Sequence, residues 1–94
     1  MDRVALIRER LITAFIPQDL NIIDDSHKHA GHAGAAGGGG HFSVMIVSEK
    51  FAGKNSITRH RMVYQAVDDL MPAQIHALSI KALTPEELHT NTPP

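Results

Sequence analysis

The sequence predicts an α+β fold with the element order helix, strand, strand, helix, short helical turn, strand. Three observations carry it. Apolar residues recur every three or four positions near the start, a β-branched-rich apolar run spans Phe42–Val47, and a histidine- and glycine-rich stretch directly joins two strand-like segments.

Val4, Ile7, Leu11 and Phe15 fall between Arg3, Arg8, Glu9 and Arg10, so residues 2–16 read as an amphipathic helix. Asp2 suits its N-cap or first turn, and Pro17 stops it. Leu20-Asn21-Ile22-Ile23-Asp24-Asp25 is short and rich in β-branched residues, which predicts a strand. In the second strand Phe42, Val44 and Ile46 share one face, with Ser43, Met45 and Val47 on the other. Phe51-Ala52-Gly53-Lys54-Asn55 reads as a turn, and Ser56 as the N-cap of a helix that ends near Met71, before Pro72. Ile57, His60, Tyr64, Val67 and Met71 share one face of that helix and are its expected apolar stripe. His60 is then a core histidine, while Arg59 and Arg61 face solvent or a partner. Ala73-Gln74 suits a short helical turn, and His76–Ala82 a third strand with His76, Leu78 and Ile80 pointing one way. Thr84-Pro85-Glu86-Glu87 carries an N-cap, a first-turn proline and two acids, which predicts a closing helical turn. Residues 1–90 read as one domain and 91–94 as a frayed tail.

This order fixes a topology. Strands joined directly form an antiparallel hairpin, whereas a helical connection joins parallel strands. The third strand is therefore expected to start where the second starts, at the hairpin tip. That places His76 near His27, His29, His32 and His41.

Composition narrows the chemistry. Ninety-four residues suit one core, and the absence of cysteine excludes a disulfide framework or a metal held by the chain's own thiolates. A soft metal would need imidazole or a partner's sulfur. The formal charge of −1 opposes a strongly basic nucleic-acid binder, although protonating the seven histidines would make the chain basic in mild acid. No apolar run approaches the ~18 residues of a membrane span, and Met1-Asp2-Arg3 does not begin a secretory signal, so a cytoplasmic protein without membrane association is expected.

The glycine run does not cradle phosphate, because such loops open a helix and here a strand follows. The spacing of His27-Lys28-His29 puts two rings on one side of an extended chain, and His32 and His41 flank a glycine loop able to adapt to a metal. A fortuitous cluster is the competing reading. His89 lies in the closing segment and has no expected role. No serine lies in a nucleophile turn, so an enzyme is not expected. Lys54, Arg59 and Arg61 surround the Gly53 turn and could meet phosphates or form a solvated helix face.

Phe51-Ala52-Gly53, Arg59-His60-Arg61-Met62-Val63-Tyr64 and Ile75-His76-Ala77-Leu78-Ser79-Ile80 together resemble the BolA family, across nearly the whole chain. The resemblance implies a mixed three-stranded sheet with helices on one face, similar to a type II KH domain. It also implies a non-enzymatic protein that partners a monothiol glutaredoxin. The two would share a [2Fe-2S] cluster, with thiolates from glutaredoxin and glutathione and with no cluster in the isolated chain. The family's C-terminal cluster histidine falls on His76. Its hairpin ligand falls on His29 through the Ser26-x-x-His pattern, with His27, His32 and His41 as alternatives. A second family role, DNA-binding transcriptional regulation, falls on Gly53, Lys54, Arg59 and Arg61, although the turn is not a Gly-x-x-Gly clamp. Homodimer formation by the chain alone is left open.

Overall fold

The structure, a computed structural model, describes residues 2–26 and 40–90. Helix α1 spans Arg3–Phe15, strands β1 and β2 span Asp19–Asp24 and Gly40–Val47, helix α2 spans Ser56–Ala66, strand β3 spans Ile75–Leu83 and helix α3 spans Pro85–Thr90. Short 3₁₀ turns at Glu49–Phe51 and Asp68–Leu70 flank α2.

Asp2 caps α1 by accepting the Ala5 N–H at 2.8 Å, and Ile7, Leu11 and Phe15 bury the stripe anticipated from their spacing. The helix closes through Ile16, whose N–H donates to the Ile12 carbonyl at 3.0 Å from a left-handed backbone conformation with φ 45°. The sheet order is β1-β2-β3, with β1 antiparallel to β2 and β3 parallel to β2, as the two kinds of connection require. Phe42, Val44 and Ile46 face the helices and join Ile7, Leu11, Phe15, Val63, Val67, Leu78 and Ala82 in one core. Buried Ser48 ties the end of α1 to the end of β2: its hydroxyl donates to the Phe15 carbonyl at 2.7 Å. Arg10 on α1 holds Asp69 in the turn after α2 with two bonds of 3.0 and 2.8 Å.

Two expectations are corrected. Helix α2 takes Asn55 rather than Ser56 as its cap, Asn55 accepting the Thr58 N–H at 2.9 Å, and it ends at Ala66 rather than near Met71. Its buried stripe runs through Val63 and Val67 with Met62 and Ala66, whereas Ile57 and His60 are exposed. The helix has apolar residues on both sides, and contact with the sheet selects the side that fills the core. His60 is therefore not a core histidine.

The second correction concerns β3. Gly40 pairs with Ile75 but His41 pairs with Ala77, so His76 is an extra residue in the ladder. Ile75 and Leu78 are both buried although three positions apart. The irregularity inverts the alternation and turns His76 out to solvent, away from the face of Leu78 and Ile80.

Ile16 is 75% exposed, so its side chain gives little in return for a conformation that a β-branched residue adopts at a cost of about 1–2 kcal/mol. Against the unfolded-chain entropy of glycine, Ile16→Gly is expected to stabilise the fold by about 1 kcal/mol, raising Tm by roughly 4–8 °C in thermal denaturation.

Candidate metal site

The hairpin neck is built from side chains that end the β1–β2 ladder. The Asp25 N–H donates to the His41 carbonyl at 2.8 Å, the His41 N–H donates to Ser26 Oγ at 3.0 Å, and Ser43 Oγ donates to Asp25 Oδ2 at 2.6 Å. On the other side the Gly40 N–H donates to the Gln74 carbonyl at 3.2 Å, joining the neck to the residue that leads into β3. His41 alternates with buried Phe42 and so belongs to the sheet face opposite the helices.

The parallel pairing brings His76 to this place. The His41 and His76 rings stand with centroids 5.2 Å apart and planes 38° from each other, His41 half-buried and His76 exposed. Two imidazoles on one tetrahedral metal, each with a metal–nitrogen bond of about 2 Å, hold their centroids roughly 5 Å apart. The observed separation of the two ring centroids matches that spacing. Among the described residues no group of three histidine, cysteine or carboxylate side chains could hold a metal. His27, His29 and His32, the other hairpin candidates, lie outside the described residues.

The second candidate region divides. Gly53 adopts φ 76° in the turn before α2, Lys54 is exposed next to it, and Arg61 is exposed on the second turn of the helix. Arg59, expected to face solvent or a partner, is instead drawn in, its side chain only 11% exposed. It donates to both carboxylate oxygens of Glu87 at 2.6 and 2.9 Å, to the Ala82 carbonyl at 3.0 Å and to the Lys54 carbonyl at 2.8 Å. Glu87 also closes a capping box with Thr84: the Thr84 N–H donates to its carboxylate at 2.9 Å and its own N–H donates to Thr84 Oγ1 at 3.1 Å. Thr84-x-x-Glu87 announces the box in the sequence, but not the arginine that shares its carboxylate.

The Arg59 hydrogen bond, then that from the Thr84 backbone, holds the Glu87 carboxyl at about 2, below its ordinary 4.5. A folded-state value below the unfolded one stabilises the fold above the unfolded value and ceases to do so as pH falls through the folded one. Glu87→Gln should therefore lower the denaturation midpoint near neutrality. Its deficit against the original chain should shrink as pH is lowered from 4.5 towards about 2, read from urea titrations at a series of pH values.

A small α+β protein with a mixed three-stranded sheet and an imidazole pair at its hairpin neck is thus the class to be matched. The family model described as BolA-like protein matches residues 11–87, and the chain belongs to the BolA family. It is 42% identical over 87 residues to the SufE-like protein 1, chloroplastic/mitochondrial, of Arabidopsis thaliana, covering 87% of this chain but only 24% of that longer protein. It is 36% identical over 81 residues to the DNA-binding transcriptional regulator BolA of Escherichia coli (strain K12), covering 86% of this chain and 74% of the relative. The structure of BolA1 from Arabidopsis thaliana superposes with a TM-score of 0.80 at 41% identity, over 93% of this chain and 96% of that one. Among the described residues no helix is long and apolar enough to cross a membrane.

Proposed function

We propose that this chain partners a monothiol glutaredoxin and contributes histidine to a [2Fe-2S] cluster that the two proteins share. His76 supplies one imidazole and the β1–β2 hairpin the other. The single observation that supports this reading is the His41–His76 ring pair, two metal-competent imidazoles at ligand spacing in a chain without cysteine. Two imidazoles can replace two thiolates on one iron of a [2Fe-2S] cluster, and that replacement raises the cluster's potential. Glutaredoxin and its glutathione would provide the thiolates this sequence lacks. The chain's own part is to present two imidazoles at a fixed separation at the end of the sheet where β2 and β3 begin. His41 stands beside His76, and His29 is the hairpin ligand that the family resemblance implies.

The co-expressed pair provides the test. His76→Ala should change the visible absorption and circular dichroism of the complex and accelerate cluster loss, and an unchanged spectrum would remove His76 as a ligand. Comparing His41→Ala with His29→Ala identifies the hairpin ligand as the one whose loss reproduces the His76→Ala spectrum.

The relative named as a DNA-binding transcriptional regulator supports a second reading, regulation through DNA contact. With Arg59 committed to Glu87, the cations left to this reading are the exposed Lys54 in the Gly53 turn and the exposed Arg61 on α2. In promoter-binding titrations across a salt series, Lys54→Ala/Arg61→Ala should weaken affinity and reduce the log–log salt slope by about two. An unaltered slope would exclude this surface.

A further inference from the structure

We infer that Ser26 is a positioning residue for the imidazole pair, acting through the backbone of His41, with Gly40 as its steric counterpart. The inference rests on the reading of His41 and His76 as metal ligands.

In an antiparallel ladder a hydrogen-bonded pair exchanges both of its N–H···O bonds. Asp25 and His41 continue the β1–β2 register, and the Asp25 N–H donates to the His41 carbonyl at 2.8 Å. The reciprocal donor, the His41 N–H, goes instead to the Ser26 hydroxyl at 3.0 Å. A side chain thus takes the place of the next backbone acceptor. The ladder ends there, and both backbone polar groups of His41 remain engaged on the β1 side. Ser26 is itself held, its N–H donating to Asp24 Oδ1 at 2.9 Å. The Cα–Cβ direction of His41, and with it the ring's approach to His76, is set by these bonds.

Gly40 makes the arrangement sterically possible. A Cβ at Gly40 would stand 2.6 and 2.8 Å from the Phe42 ring and 2.8 Å from Ser26 Oγ. Any side chain there must displace either the buried ring that anchors β2 or the hydroxyl that holds His41. Gly40 is also the position after which β2 and β3 shift register, the irregularity that turns His76 outward. One short segment therefore fixes both rings: Ser26 and Asp25 hold His41 from the β1 side, and the Gly40–Gln74 bond and register shift place His76 from the β3 side.

The test uses the full chain with Zn²⁺ as the probe, calorimetric affinity and the ring resonances of His41 and His76 in NMR spectra as readouts, and Tm as the measure of folding. His41→Ala/His76→Ala defines the background from other histidines. Ser26→Ala should weaken pair-dependent Zn²⁺ binding about tenfold, the low end of the range for losing a group that supports a metal ligand, and shift both rings' resonances. Ser26→Thr keeps the hydroxyl and should restore both, whereas Gly40→Ala should reproduce the loss with Ser26 intact. If Ser26→Ala lowers Tm but leaves affinity and ring resonances as in the original chain, Ser26 is a hairpin residue only and the inference is overturned. If His41→Ala/His76→Ala binds Zn²⁺ as tightly as the original chain, the ligand reading fails first and the inference fails with it.

Discussion

The parallel pairing of β2 with β3 is the constraint on which the rest of the molecule depends. A helical crossover brings β3 back alongside β2 in the same direction, so β3 begins at the end where the β1–β2 hairpin opens. Any other pairing would put His76 at the far end of the sheet from the hairpin histidines. The pairing also sets the core, because Phe42, Val44 and Ile46 alternate towards the helices only while β2 is held between two neighbours. The register shift after Gly40 then exempts one residue of β3 from that alternation. Regularity makes the core, and one departure from it brings the His76 ring beside His41.

Closing a three-stranded sheet leaves two edges, and β3 deals with its own through side chains. Tyr64 Oη donates to the Leu78 carbonyl at 2.9 Å, and Arg59 donates to the Ala82 carbonyl at 3.0 Å, both outward-facing acceptors on the β3 edge. Helix α2 thereby covers an edge that could otherwise pair with another chain. The same Arg59 secures α3 through Glu87, so one guanidinium fastens the Lys54 turn, the sheet edge and the closing helix together. Both Arg59–Glu87 and Arg10–Asp69 are bidentate, but the Arg59 side chain is only 11% exposed, whereas Arg10–Asp69 lies more open to water, which screens its charges. It also explains why a cation that looks available in the sequence is structural in the fold.

What the sequence disclosed, and what it withheld, follows from the range of the forces involved. Helix α1 was legible because Ile7, Leu11 and Phe15 lie on one side with charges on the other, so periodicity alone identifies its buried stripe. The topology was legible because a direct link and a helical link permit different strand directions. Helix α2 was misread because apolar residues occupy both of its sides, and only contact with the sheet decides between Ile57 and Val63. His76 was placed correctly along the chain but on the wrong face, since a register shift leaves no mark in the alternation of the strand that carries it. The Arg59–Glu87 pair spans 28 positions and depends on where β3 delivers α3, which no local pattern encodes.

The imidazole pair has a further physical meaning. A closed structural metal site gathers four ligands from one chain and contributes its binding energy to that chain's folding. On the proposed reading the described residues would supply two ligands, the core closes without them, and His76 stands exposed. A two-ligand site of that kind would leave its other ligands to a partner. On the proposed reading the neck that holds His41 would serve association: the Ser26 bond and the close fit at Gly40 would set the ring separation beforehand, so a partner bringing the other ligands would meet a pair whose ordering cost is already met.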